Sequence, residues 1–366
     1  MSTELQSHDS TRKLRLLIIA GGCTGEHEIS MLSGRTIYEF LSNMSKFHVR
    51  IVVITREGRW LSESDSHKAL MAGNAPHGGE PTLPGPPLAE RCDVVWSFVD
   101  DWNGCGGVIQ GYLETCGVAY MGCGPLATAL CRDKVMAKEI LKSHGIPMVR
   151  HVAFTSENYI ENPTAIVQRI KRMNVPWFVK PSNLGSTVGI SKVQHEASLG
   201  RAIEEAMRYD RRIIVEEGLD NPREIEVAII GNHNPYVSPV GEAMHISEIM
   251  DFKTKYSGGN QLHTPADIPS EIAKRVQTMG LHAYQLLDCA GYARVDFFLD
   301  QRTDEVYFNE ISASPGFTPF SVFQKLMAGG GYNLLELVET LVKFALERHG
   351  HRNKNMVMMY GDRPHL

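Results

Sequence analysis

Apolar and polar positions alternate in blocks along the first third of the chain. LRLLIIA, residues 14–20, is a short unbroken apolar run of the kind a parallel strand buried on both faces shows. A glycine-rich turn follows, and then a helical pattern from Ser30 to about Leu41. RIVVIT (50–55), DVVWSFV (93–99) and GVAYMG (117–122) predict further strands between polar or helical segments. This alternation predicts an N-terminal doubly wound α/β layer over residues 14–125. Residues 73–90, dense in Pro and Gly, predict an inserted surface loop.

The period then changes. A helix is expected over 126–143, strands around FVK and SKV, a helix near 196–208, and a strand at RRIIVEE (211–217). These define a second region, 126–216. PREIEVAII, a long helix at 270–287, the strand pair RVDFFLD and EVYFNEI, and a last helix NLLELVETLVKFALERH make a third, 217–350, between tails at 1–13 and 351–366.

WFVKPSNLGSTVGISKV, residues 177–193, places small polar and glycine residues between two strand-like runs with Lys180 at the shoulder. Such a loop can turn several N–H groups toward one anion, with Ser186, Thr187 and Lys180 adding donors. Neither the P-loop nor the dinucleotide fingerprint is present: Gly185 and Gly189 are four apart and the lysine precedes them. Because the loop joins two strands, no helix N-terminus is expected to assist it; a solvated hairpin would look the same.

Four other stretches carry candidate chemistry. GGCTGEHEIS (21–30) follows the first strand, where open α/β sheets bind ligands, and its Glu26 and Glu28 suit an ammonium or simply complement the helix dipole. In RVDFFLDQRTDEVYFNE (294–310), Asp296 and Glu310 each lie seven residues from Thr303 and would face each other in an unbulged hairpin, with Arg294 on the same face. Two facing carboxylates suit Mg²⁺ on nucleotide phosphates, or are neutralised by Arg294. SASPGFTPFSVF (312–323) offers a Gly N–H for an oxyanion or an ordinary capped turn. DFKTKY (251–256) reads as a mobile lid with Lys255 and Tyr256 at its tip, or as a solvated loop.

Composition narrows the field. The chain of 366 residues is 43% hydrophobic and 22% charged, with a net charge of −5. That balance suits a soluble protein of two or three domains and offers no basic footprint for nucleic acid or anionic membrane. Seven cysteines without a C-x-x-C pair point to reduced thiols in the cytosol rather than a zinc knuckle or disulfide framework. The polar, acidic N-terminus and the absence of a ~20-residue apolar run predict no targeting or membrane segment.

Taken in order, GEHEIS, VKPSNLGSTVGISKV, REIEVAI, TKY, RVDFFLD and NEISASPGFTP resemble the motifs of the D-alanine–D-alanine ligase family, from about Leu14 to His349. The resemblance implies the ATP-grasp fold, in which an N-terminal α/β domain precedes two α+β domains clasping ATP. It implies ATP contacts from Lys134, Lys180, Glu216, Glu217, Leu219 and Glu224. Glu26, Ser186 and Tyr256 would form the triad that positions the first amino acid, with Ile29 beside it and Lys255 on the γ-phosphate. Arg294 and the Gly316 N–H would stabilise the oxyanion, and Ser321 and the Val322 N–H would hold the second carboxylate. Asp296, Glu310 and Ser312 would hold two Mg²⁺ ions, or Mn²⁺, in a cytoplasmic homodimer acting on small amino acids.

Two departures bear on the substrate and the metal. VDDWNGCGG puts Asp100 and Asp101 where the family has His-Gly, and Cys105-Gly106 where it has Glu-Asp. A carboxylate there disfavours a substrate carboxylate nearby and favours a polar or cationic side chain. Ser312 replaces the asparagine metal ligand. The first expectation is a D-alanine–D-alanine ligase of peptidoglycan precursor synthesis, Tyr256 favouring an amine nucleophile. The alternatives are a pathway-specific ligase with another second substrate, such as D-serine, and a non-catalytic nucleotide-binding relative.

Overall fold

The computed structural model describes residues 12–74, 77–83, 88–99, 101–102, 105–185, 188–244 and 261–360. Three sheets organise them. The first contains β1 (Leu14–Gly21), β2 (Phe47–Ile54) and β3 (Val94–Ser97), then, beyond a short hairpin of β4 (Asp101–Trp102) and β5 (Cys105–Gly106), β6 (Ala119–Tyr120). Its order is β2-β1-β3-β6 and all its pairings are parallel. Leu16 to Ala20 are fully buried because helices cover both faces, which is why the run is continuously apolar.

The second sheet is antiparallel, with β7 (His151–Thr155), β8 (Trp177–Pro181), β9 (Ser191–Val193) and β10 (Arg212–Glu217) in the order β7-β10-β8-β9. The third holds β11 (Arg223–Gly231), β12 (Tyr236–Val237), β13 (Gly241–Met244), β14 (Gln261–His263), β15 (Gly291–Leu299) and β16 (Val306–Ser312). It is antiparallel in the order β14-β13-β11-β15-β16, with β12 also on β11.

The cores do not follow the sheets one to one. Trp96 and Phe98 of the first region pack against Tyr292, Phe317 and Phe323, and the Trp96 indole donates to the Tyr292 hydroxyl at 2.9 Å. The helices Pro125–Arg132 and Lys134–Ser143 bury Ala127, Ala137 and Leu141 against the third sheet. The second sheet closes a core of its own, from Val152 to Val215, with the helices Pro163–Ile170 and Leu199–Met207.

Three helical expectations shift. The first helix begins at His27, because the turn before it is closed by the His27 ring on the Gly22 carbonyl and by the Gly21 N–H on Ser30 Oγ. The helix expected over 126–143 is broken by Asp133, whose ψ of 101° is extended and whose carboxylate caps the next helix. The last helix runs on to Tyr360. Six described cysteines are free thiols, and among the described residues no helix is long and apolar enough to cross a membrane.

Candidate active site

A cavity of about 890 Å³ opens between the second and third sheets, with the start of the helix His27–Ser42 at one end. That is the volume of a site for a substantial small molecule. Its walls are charged in two distinct ways.

On the second-sheet side, Glu216 is the last residue but one of β10, and its side chain is almost completely buried. Its Oε2 lies 2.5 Å from the Lys180 ammonium on neighbouring β8, and its Oε1 lies 2.8 Å from that of Lys138. Burial alone would raise the Glu216 pKa, but the two ammonium groups reverse this and hold the carboxyl far below its ordinary range. Burial draws Lys138 below its usual value, whereas for Lys180 the attraction of Glu216 outweighs burial and raises it. Lys180 borders the cavity; the Lys138 side chain, 1% exposed, stands behind it.

On the third-sheet side, Arg294 and Asp296 project from β15 on the same face. Arg294 grips both Asp296 oxygens, at 2.7 and 2.6 Å, and reaches Glu226 of β11 at 3.3 Å. Burial opposes the guanidinium charge, but these carboxylates more than compensate and raise its pKa well above the usual value. Asp296 pairs with Glu310 across the ladder, and Arg294 with Ser312. The expected facing of Asp296 and Glu310 is therefore present, but the unbulged hairpin behind it is not. The inner ladder runs Leu299 to Val306 and Phe297 to Phe308, and a bulge at Asn309 moves Glu310 into line with Asp296.

The hairpin β8–β9 bears on both walls. Its base is tied to the start of the helix Lys134–Ser143: the Lys134 N–H donates to the Ser182 carbonyl at 3.0 Å, and Asp133 accepts from Val135, Met136 and Ser182 Oγ. A helix N-terminus does abut this loop, though from elsewhere in the chain, and its first amides are already capped by Asp133. Lys134 Nζ donates to the Leu184 carbonyl at 2.8 Å and lies 3.3 Å from Glu310. Gly185 has no room for a side chain, since a Cβ would meet Glu26 Oε1 at 2.9 Å and Arg132 Nη1 at 3.2 Å. Gly189 takes a φ of 73° that suits glycine.

At the far end, Ile29 and Ser33 of the first helix face the loop before the helix Val322–Gly329. The Phe317 N–H donates to Ser33 Oγ at 3.1 Å, and the Gly316 and Ser321 atoms lie together beside them. Ser321 Oγ accepts from the Thr318 N–H at 2.9 Å, and Ser321 occupies the N-cap position without a side-chain capping bond; both Ser321 and Val322, the first residue of the helix, border the cavity. The two glutamates of the first turn separate: Glu26 borders the cavity, while Glu28 pairs with Arg56 at the surface.

Residues 15–123 match the family model described as D-ala D-ala ligase N-terminus and residues 140–343 that described as D-ala D-ala ligase C-terminus. A D-alanine–D-alanine ligase of Deinococcus radiodurans is 42% identical over 337 residues, covering 92% of this chain and 99% of that protein. One from Acetivibrio thermocellus is 35% identical, covering 93% and 98%. The chain belongs to the D-alanine–D-alanine ligase family. Among solved structures, the D-alanine–D-alanine ligase of Coxiella burnetii superposes with a TM-score of 0.78 at 28% identity, covering 94% of this chain and 97% of that one. The VanG D-Ala:D-Ser ligase of Enterococcus faecalis gives 0.77 at 28% identity, covering 91% and 100%.

This D-alanine–D-alanine ligase family member thus has the ATP-grasp fold and is an ATP-dependent ligase. Lys134, Lys180, Glu216, Glu217, Leu219 and Glu224 all border the cavity, the Glu217 carboxylate being tied to Arg150 and Asn174. Asp100, Ser186, Lys255 and Tyr256 lie outside the described residues. Sequence reading missed Lys138, Asp133, Arg132 and Glu226. Lys138 is one helical turn beyond Lys134, Asp133 is a helix-capping residue type, and Glu226 shares the period-two face of Glu224. Arg132 donates to the Asn183 carbonyl at 2.7 Å, which nothing in its sequence context signals.

Proposed function

We propose that this ligase joins two D-alanine molecules at the expense of ATP, as a cytoplasmic homodimer with Mg²⁺. The observation that carries the reading is one cavity that brings together Lys180, the Arg294–Asp296–Glu310 group with Lys134 beside Glu310, and, at its far end, Glu26 and Val322. The first substrate's carboxylate takes the γ-phosphoryl group of ATP, giving ADP and an acyl phosphate. The second substrate's free amine attacks that carbonyl, its proton is lost, and phosphate leaves.

The chain's own groups account for the placement of the reactants. Lys134 and Lys180 neutralise phosphate charge, and Glu216 to Leu219 line the nucleotide hinge. Glu26 receives the first ammonium, and Ser321 with the Val322 amide receives the second carboxylate. Arg294 and the Gly316 amide face the charge that develops on the attacked carbonyl. Asp296 and Glu310 fit Mg²⁺, which takes one or two protein carboxylates and completes its shell with phosphate and water oxygens; Ser312 lies across from Arg294 as a further oxygen. When bound, the ion would draw off phosphate charge, and Asp296 would have to release part of its fork with Arg294. Ser186, Lys255 and Tyr256 are assigned by the family resemblance alone.

ADP release with D-alanine, ATP and Mg²⁺, with mass spectrometry of the product, tests the reading. D-alanyl-D-alanine is the expected product. ADP release only when D-serine or another amine accompanies D-alanine would move the assignment to a specialised ligase, as the Asp100 segment suggests, and none with any amino acid would leave a nucleotide-binding relative.

A further inference from the structure

Lys138 touches no ligand-facing surface, yet it is placed where the nucleotide-binding charge is decided. It sits on the helix Lys134–Ser143 one turn after Lys134, and its ammonium reaches both Glu216 and, at 3.4 Å, the Phe308 carbonyl of β16. Glu216 gives one oxygen to each lysine. Of the two, Lys180 alone borders the cavity.

Glu216 and Lys180 by themselves would be a neutral pair with nothing to offer a phosphate. Drawing Lys180 toward a ligand would also strip a buried carboxylate of its counter-ion, which is strongly unfavourable. A second buried ammonium removes both obstacles, because two lysines and one carboxylate carry one net positive charge and Glu216 stays compensated whichever way Lys180 turns. We propose that Lys138 is a positioning residue: it is the standing counter-ion of Glu216 that releases Lys180 to the phosphates of the nucleotide. This rests on the reading of the cavity as an ATP site.

The test is calorimetric binding of ATP, ADP and adenosine to the full chain in three forms: wild type, Lys138→Met, and Lys138→Met with Glu216→Gln. In Lys138→Met the carboxylate keeps Lys180 for itself, so ATP and ADP should bind at least about tenfold more weakly while adenosine, which has no phosphate, stays within about twofold. In the double variant Lys180 has lost its buried carboxylate partner, and because Glu216 itself lines the cavity the quantity compared is the ratio of ATP to adenosine affinity, which should return to within about threefold of wild type. Equal losses for adenosine and ATP in Lys138→Met, or a double variant whose ratio of ATP to adenosine affinity is no higher than the single variant's, would overturn the proposal by reducing Lys138 to a packing role. If Lys138→Met does not fold, as read by circular dichroism, the charge-balanced double variant decides by itself: a ratio of ATP to adenosine affinity within about threefold of wild type supports the proposal, adenosine correcting for the place of Glu216 in the cavity, and a lower ratio overturns it. A wild-type chain that binds no ATP would instead overturn the nucleotide reading of the cavity.

Discussion

The two charged walls of the cavity are built on opposite plans. On the second-sheet side, two ammonium groups enclose one carboxylate and leave a single positive charge almost wholly out of water. On the third-sheet side, Glu226, Asp296 and Glu310 outnumber Arg294 and Lys134, leaving a single negative charge at a partly open surface. The first wall suits an anion and the second a cation, so a magnesium nucleotide is complementary to the two together. They also differ in what holds them in place. The first is fixed by desolvation, which makes each partner indispensable to the others; the second keeps exposed oxygens that can change partners.

The sharpest break of this contrast is Glu216→Gln, which leaves two buried lysines without their carboxylate. Destabilisation of about 3–5 kcal/mol is expected in urea unfolding, the range for removing one partner of a buried pair. Adding Lys138→Met should recover part of it, since effects within one network are not additive. The pH dependence sharpens the point. With its folded pKa depressed, Glu216 contributes fully above its ordinary value of 4.5, and the contribution is lost as pH falls below that toward the folded value. Stability should therefore fall less steeply between about pH 5 and 3 in Glu216→Gln than in wild type.

Glu310→Gln should leave the fold intact, its side chain being 33% exposed. Turnover should fall by more than the roughly 10–100-fold that loss of an outer-shell metal partner costs, measured as ADP release over a range of Mg²⁺. Unchanged turnover would remove Glu310 from the metal reading and the contrast with it. The smallest effect belongs between the walls. Asp133→Ala removes the helix cap ahead of Lys134 and Lys138, and a loss of about 0.5–2 kcal/mol in thermal unfolding is expected. A raised KM for ATP should accompany it, because both lysines start from that capped turn.

How much of this could be read from the sequence differs between the walls in the same way. The third-sheet group was legible because a hairpin has period two and its turn can be counted; Asp296 and Glu310 were matched correctly although the bulge at Asn309 was invisible. No residue pattern distinguishes a bulge from a regular ladder. In the wall on the second-sheet side Lys180 and Glu216 were visible as motif residues but their bond was not, since it joins two strands that are neighbours in the sheet and far apart in the chain. Lys138 had no signal at all beyond helical spacing, and burial of a lysine is not written in its neighbours. Likewise Glu26 and Glu28 are indistinguishable as letters, and their different fates follow from where the helix begins.

The sharing of cores also has a mechanical meaning. The first and third regions are joined through Trp96, Tyr292 and Phe317, while the second sheet encloses a separate core. In mechanical terms the molecule is a two-part jaw. Glu216 lies near the end of β10, close to the segment 218–222 that leads into the third sheet, and its bond to Lys138 sits beside that connection. A rotation about that segment would displace Glu216 and its bond to Lys138 less than groups farther along the second sheet, so this buried pair is placed where a change of angle would cost it least.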